Sequence, residues 1–469
     1  MSWLTALTNR LNIPTPSILV AASVIAGFAM LIGWTPWVLL LAVLAPIIVL
    51  LARRPQIGVL LFVAAVPFDG LRASGRFPPI VDGWKQATIL VLLLLTFVCP
   101  AAARATGRRR IPGWVPAFAA LASIGIISAA LVGGTTAMIG MRISFFDALI
   151  AVVIWRCPFS RKERDDLISI LLAVAIFVSL VGIAQQLAGH EFLRRVGYQY
   201  DETIRFAENF RLRAFSTFNQ PFPFAFYLML VVLLVTPFAL AEPRRLRSKI
   251  FFISIPLIAS GIISSYVRAA LLGLAIGLLY LAFHRYKVLV YGIPLVIVAA
   301  LLLPSGSSFA RAFTNSDSLS ARTSSWDTRF EQFIDAPMGS GLGTTGAAAE
   351  KLAKLRHQDE KAIYLPDNSY LKWAFELGIL GLWLFVAMLV SMFLFARDVE
   401  RRSVDPEKHL AAGFCALLLA IMVSSTVATY FEMVPAIQLF WVMMGLLATM
   451  APQEVDMVPA VKSVRSPTV

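Results

Sequence analysis

The sequence predicts an all-α integral membrane protein with about 12–14 transmembrane helices and a helical extracytoplasmic loop domain between the late spans. Three observations predict it. Of 469 residues, 58% are hydrophobic and 14% charged, with a mean hydropathy of +0.77. The apolar runs reach the roughly 20 residues that a helix needs to cross a hydrocarbon core, and they lack the alternation of a barrel strand. Lys and Arg gather in short loops between those runs, the pattern of cytoplasmic loops.

Taken in order, spans are expected near 17–33, 36–52, 56–67, 86–103, 114–132, 139–155, 167–188, 221–241, 250–265, 268–284, 287–303, 368–396, 409–430 and 434–451. The first begins near Ser17 behind Arg10 and has no small-residue cleavage site after it, so it reads as a span and not a signal peptide. The third is short and ends at Pro67, as a partial span would. Both termini fall inside. The chain divides into 1–303, transmembrane helices with an outer loop at 189–220; 304–366, an extracytoplasmic helical loop domain; 367–452, the C-terminal spans; and 453–469, a polar cytoplasmic tail.

The formal net charge of +14 does not call for nucleic acid. The basic clusters at Arg53-Arg54, Arg108-Arg109-Arg110, 156–164, 244–249, 285–287 and 397–408 satisfy the positive-inside rule, with membrane lipids as their surroundings. Cys99, Cys157 and Cys415 lie in or beside apolar runs, so no disulfide framework is expected. His190 and His357 are the only histidines expected outside and show no ligand spacing, so neither metal nor cofactor is called for. Asp201-Glu202 reads as a solvated pair sooner than a cation site. In the 304–366 segment, Trp326, Phe330 and Phe333 fall on one face of an amphipathic helix, and a second helix is expected near 347–361.

Arg211, Arg213 and Arg268 depart from the charge rule, because they end spans on the side away from the cytoplasm. Arginine's planar fork suits bidentate contact with phosphate oxygens. The competing explanation is snorkelling to headgroups or pairing with carboxylates. Arg213 leads through Phe218-Asn219-Gln220-Pro221 into a span, and Arg268 closes the turn Ser264-Ser265-Tyr266-Val267-Arg268. A third stretch, Pro366-Asp367-Asn368-Ser369-Tyr370-Leu371, opens a helix. It reads as an N-cap, or as a carboxylate kept ionised by the helix terminus and able to accept a proton.

The ordered set resembles the O-antigen ligase and polymerase family of bacterial envelope glycosyltransferases. Its pieces are the Arg213 segment, the Ser-Tyr-Val-Arg268 turn, Ser320-Ala321-Arg322-Thr323-Ser324-Ser325-Trp326, Gly339-Ser340-Gly341-Leu342-Gly343, and Asp367-Asn368-Ser369-Tyr370-Leu371 with Glu376-Leu377-Gly378. The resemblance spans about 189–381. It implies an inverting glycosyltransferase in the bacterial inner membrane. The enzyme takes a glycan from an undecaprenyl or decaprenyl diphosphate carrier to an acceptor hydroxyl on the extracytoplasmic face.

By the same resemblance, Arg213 and Arg268 bind the diphosphate, and Asp367 stands where the ligase branch has its proposed base, to take the acceptor proton or to orient the hydroxyl. Arg211, Arg322, Asn219, Gln220, Asn368 and Tyr370 line the substrate. A histidine precedes the helix-start Asn in the ligase branch. Asp367 in its place tilts the reading toward polymerisation of O-antigen, exopolysaccharide or capsule repeat units, with ligation to a lipid A-core as the alternative. Partners implied are the carrier-linked oligosaccharide, an acceptor glycan or glycolipid, and chain-length regulator or export proteins.

A transporter or lipid flippase is the competing class. Its support is Asp147, an intramembrane carboxylate that Arg142 could pair. Inverted repeats expected of many transporters are not evident. A scaffold would leave the outer arginines unexplained.

Overall fold

The computed structural model describes residues 48–74, 83–99, 111–195, 206–207, 211–291, 337–356, 366 and 368–450. The expected span at 17–33 and most of those at 36–52 and 287–303 lie outside these, as do Trp326, Phe330, Phe333 and the tail from 453.

The described chain runs α1 (Pro55–Ala65), a 3-10 segment (Val66–Ser74), α2 (Trp84–Val98), α3 (Val115–Val132), α4 (Gly134–Phe145), a 3-10 turn (Phe146–Ala148), α5 (Leu149–Arg156) and α6 (Arg161–Arg195). A two-residue antiparallel pair follows, β1 (Phe206–Ala207) with β2 (Arg211–Leu212). Then come α7 (Pro221–Ala241), α8 (Leu246–Ser264), α9 (Arg268–His284), α10 (Gly346–Arg356), α11 (Ser369–Arg402), α12 (Glu407–Ser424) and α13 (Ala436–Met450). The protein is an all-α integral membrane protein. Among the described residues, seven helices are long and apolar enough to cross a membrane, and four shorter apolar helices accompany them.

α7 is the axis. Pro221 and Pro223 sit in its first turn, where a missing N–H costs nothing. The helix is apolar on every side, which requires neighbours on every side. α6, α8, α9 and α12 supply them, and nearly all of α7 is buried. On peripheral helices large apolar side chains face outward instead, such as Leu131 (84% exposed) and Ile253 (80%). Lipid would cover that surface.

Three irregularities mark the rods. α6 turns at Gly189 and runs on to Arg195, inside the expected outer loop. The run expected as one span at 139–155 lies within one spanning stretch, Gly134–Arg156, which tightens to a 3-10 turn at Phe146–Ala148. α11 breaks at Gly378 into a half-helix, 369–377, and a long rod. At the end remote from Arg213, ion pairs join the basic loops, including Arg247 with Asp165 at 2.6 Å and Arg164 with Glu407 at 3.2 Å. All three cysteines are buried free thiols.

Candidate functional site

The Arg213 segment has little regular structure of its own, and its backbone groups are satisfied by neighbours. Gln185 Oε1 accepts the amides of Phe215 (3.2 Å) and Ser216 (2.7 Å), while its Nε2 donates to the Ser216 carbonyl at 2.7 Å. Gln186 Nε2 donates to the carbonyls of Leu212 and Ser264. These bonds hold Ser216 in the left-handed region at φ 54°, a conformation that costs a non-glycine residue and persists where its surroundings fix it. Below, Thr217 Oγ1 donates to the Pro67 carbonyl at 2.8 Å. Gly70 lies so close that a Cβ there would enter the Phe218–Asn219 peptide. The partial third span thus ends in a 3-10 segment that clamps the segment from one side.

Arg213 and Arg268 are brought together at this end of the bundle. Arg213 Nε donates to the Ser265 carbonyl at 3.1 Å, and its guanidinium stands 4.9 Å from the Phe222 ring centre. Ala214 N donates to the Ser264 carbonyl at 2.9 Å. Arg268 follows three residues after Ser265 as the first residue of α9, once Tyr266 has turned the chain at φ 55°. Burial, and then the positive charge of Arg268, push the Arg213 guanidinium down to about 10. Both arginines are half-buried; Gln220 is half-buried and Asn219 exposed beside them. Arg211 lies in β2.

The third element joins the same end through α12. Asn368 is the cap of α11: its side-chain oxygen accepts the amides of Tyr370 (2.8 Å) and Leu371 (3.3 Å). Ser369 N donates to the Ser425 carbonyl at 2.9 Å, and Ser424 Oγ donates to the Ala269 carbonyl, also at 2.9 Å. The starts of α9 and α11 are therefore fastened to consecutive residues at the end of α12. Tyr370 turns its hydroxyl to the Met422 carbonyl at 2.9 Å, a bond that packs α11 on α12. Asp367 and Arg322 lie outside the described residues.

Sequence reasoning did not single out Gln185, Gln186 or Ser424, whose long-range partners lie 26 to 155 residues away. It also passed over Lys372 and Glu432, although Lys372 and Glu376 are charged residues at helical i, i+4 spacing in an apolar run, a signal available in the letters alone. Asp147 falls in the 3-10 turn, 4% exposed, where Gln438 Nε2 donates to its Oδ1 at 3.0 Å.

A search of curated proteins found no match. Residues 251–386 match the family model described as O-antigen ligase. The matched region contains Arg268, Arg322, Asp367, Asn368 and Tyr370 and leaves Arg211, Arg213, Asn219 and Gln220 outside it. Over that stretch, less than a third of the chain, the protein is similar to the O-antigen ligase family, and the similarity supports glycan transfer as the family-level activity.

Proposed function

We propose that the chain is an inverting membrane glycosyltransferase. It moves a glycan from a polyprenyl diphosphate carrier to an acceptor hydroxyl on the extracytoplasmic face of the bacterial inner membrane, polymerising polysaccharide repeat units in preference to ligating them to a lipid core. The observation that carries this reading is the seating of Arg213 on the turn that ends in Arg268, with its Nε on the Ser265 carbonyl at 3.1 Å, where the positive charge of Arg268 disfavours that of Arg213. A diphosphate offsets that repulsion, and it gains charge as it leaves. Preplaced guanidinium groups thus stabilise the transition state more than the ground state.

In this mechanism the acceptor oxygen attacks the anomeric carbon from the face opposite the carrier. The bond between that carbon and the phosphate oxygen breaks, and the polyprenyl diphosphate leaves against Arg213 and Arg268. Asp367 takes the acceptor proton. Arg211, Asn219, Gln220, Asn368 and Tyr370 shape the surroundings, with Arg322 from the 304–366 segment over the glycan. The arginines do the work often given to a divalent cation, so metal is not required.

The test uses purified full-length protein in nanodiscs with a polyprenyl diphosphate-linked oligosaccharide, following chain growth and release of the lipid diphosphate with a chelator present. Wild type is expected to release it. Arg213→Ala, Arg268→Ala and Asp367→Ala should each lose about 100-fold or more in rate, the scale of removing a charge-stabilising or proton-accepting group. Undiminished rates in all three would sink the mechanism. Products extended on the same carrier mean polymerase; transfer only to a second lipid means ligase. Asp147→Asn keeps an oxygen for Gln438 and should retain transfer. Movement of lipid across vesicles that needs Asp147, with no transfer, would establish the transporter reading instead.

A further inference from the structure

A buried ionic group sits beside the capped start of α11. Lys372 Nζ lies 3.2 Å from Glu432 Oε1 and 3.6 Å from Glu376 Oε2, and donates to Ser144 Oγ at 3.2 Å. The three charged side chains are 0–5% exposed. Such a group is weak evidence of stability, since apolar packing often serves as well, and its better-attested use is to fix one arrangement among several.

What it fixes is visible in the second oxygen of each carboxylate. Glu376 Oε1 accepts from the amide (3.3 Å) and hydroxyl (3.1 Å) of Thr345. Glu432 Oε2 accepts from Ala347 N at 3.3 Å, in the first turn of α10, where a negative charge is favoured. Both carboxylates therefore reach from Lys372 to one turn, the glycine-rich stretch that leads into α10. Backbone bonds complete the contact: Ser340 N donates to the Phe375 carbonyl at 2.7 Å, Gly341 N to the Glu376 carbonyl at 2.9 Å, and Ile379 N to the Pro337 carbonyl at 3.2 Å. The first two satisfy carbonyls that the break at Gly378 frees, and the third satisfies an amide beyond it.

We propose that Lys372, Glu376 and Glu432 are positioning residues that latch the glycine-rich turn and α10 onto the half-helix 369–377, and so fix the helix start at Asn368. The consequence for catalysis rests on the reading that this helix start belongs to the transfer site. Two carboxylates share one ammonium, so removing one of them still leaves a matched pair. The variants Glu376→Ala and Glu432→Gln are therefore expected to fold.

Hydrogen exchange of the full-length protein in nanodiscs reads the latch without reference to activity. In Glu376→Ala the amides within 339–347 should exchange about tenfold faster or more. The transfer kcat should fall about 10- to 100-fold, as small misplacements do, with KM for the carrier-linked oligosaccharide within about threefold. Glu376→Gln keeps an oxygen for Thr345 and should restore both. Should Glu376→Ala not fold, Thr345→Val removes the hydroxyl contact without disturbing a charge, and it should move both readouts in the same direction by less. Wild-type exchange in the loosened variants, or fast exchange with unchanged kcat, overturns the proposal. If the wild type transfers nothing, the glycosyltransferase reading fails, and the exchange measurement alone decides the latch.

Discussion

Arg213 is held by shape as much as by charge: its Nε meets the Ser265 carbonyl and its guanidinium carbon stands over the Phe222 ring. A lysine cannot reproduce a planar fork. Arg213→Lys should therefore lose most of the transfer rate, about 10-fold or more, and a lysine variant as active as wild type in diphosphate release would show that point charge suffices. The lowered value of about 10 has a definite sign. The folded chain binds this proton less tightly than the unfolded one does, so the cost is present at neutral pH and is relieved as pH rises through about 10. A rate profile should accordingly show no alkaline limb from Arg213 below about pH 9. The arginines stood out in the sequence because, on the expected topology, they fall outside the basic cytoplasmic clusters. Gln185, Gln186 and Ser424 did not, because a polar residue near a span end has no pattern that reveals a partner so far along the chain.

At the level of elements, apolar length is legible and interruption is not. The expected span at 221–241 coincides with α7, Pro221–Ala241, because a proline-marked start and a polar end bracket a run with no internal ambiguity. Gly378, by contrast, reads as one more glycine in an apolar helix, yet it stands at φ 69° and divides α11. A Cβ there would collide with the Pro337 carbonyl oxygen as well as strain the backbone. Gly378→Ala should lower the thermal midpoint in detergent, by about 1–3 kcal/mol of stability, and reduce transfer. A variant with unchanged melting would mean that the break is easily straightened. Asp147 gives the same lesson in reverse: a lone carboxylate in the letters becomes, with Gln438 across the bundle, a paired group at a 3-10 turn.

For the whole molecule, the helical membrane architecture follows from composition, whereas the gathering of three distant segments at one end depends on which helices pack on α12. Orientation is open to direct measurement. The native thiols are buried, so Glu191→Cys at the exposed end of α6 and Arg244→Cys in the α7–α8 loop stand against a quiet background. A membrane-impermeant thiol reagent applied outside should label the first and spare the second; the opposite pattern would reverse the topology. The burial of α7 has a consequence for the bilayer itself. Thinning or thickening a membrane tilts the helices it touches, and lipid has almost no purchase on α7. The height of Arg213 is thus set by protein packing, and on the proposed reading a change of lipid would be felt first in how far the carrier's isoprenoid chain must stretch to reach it.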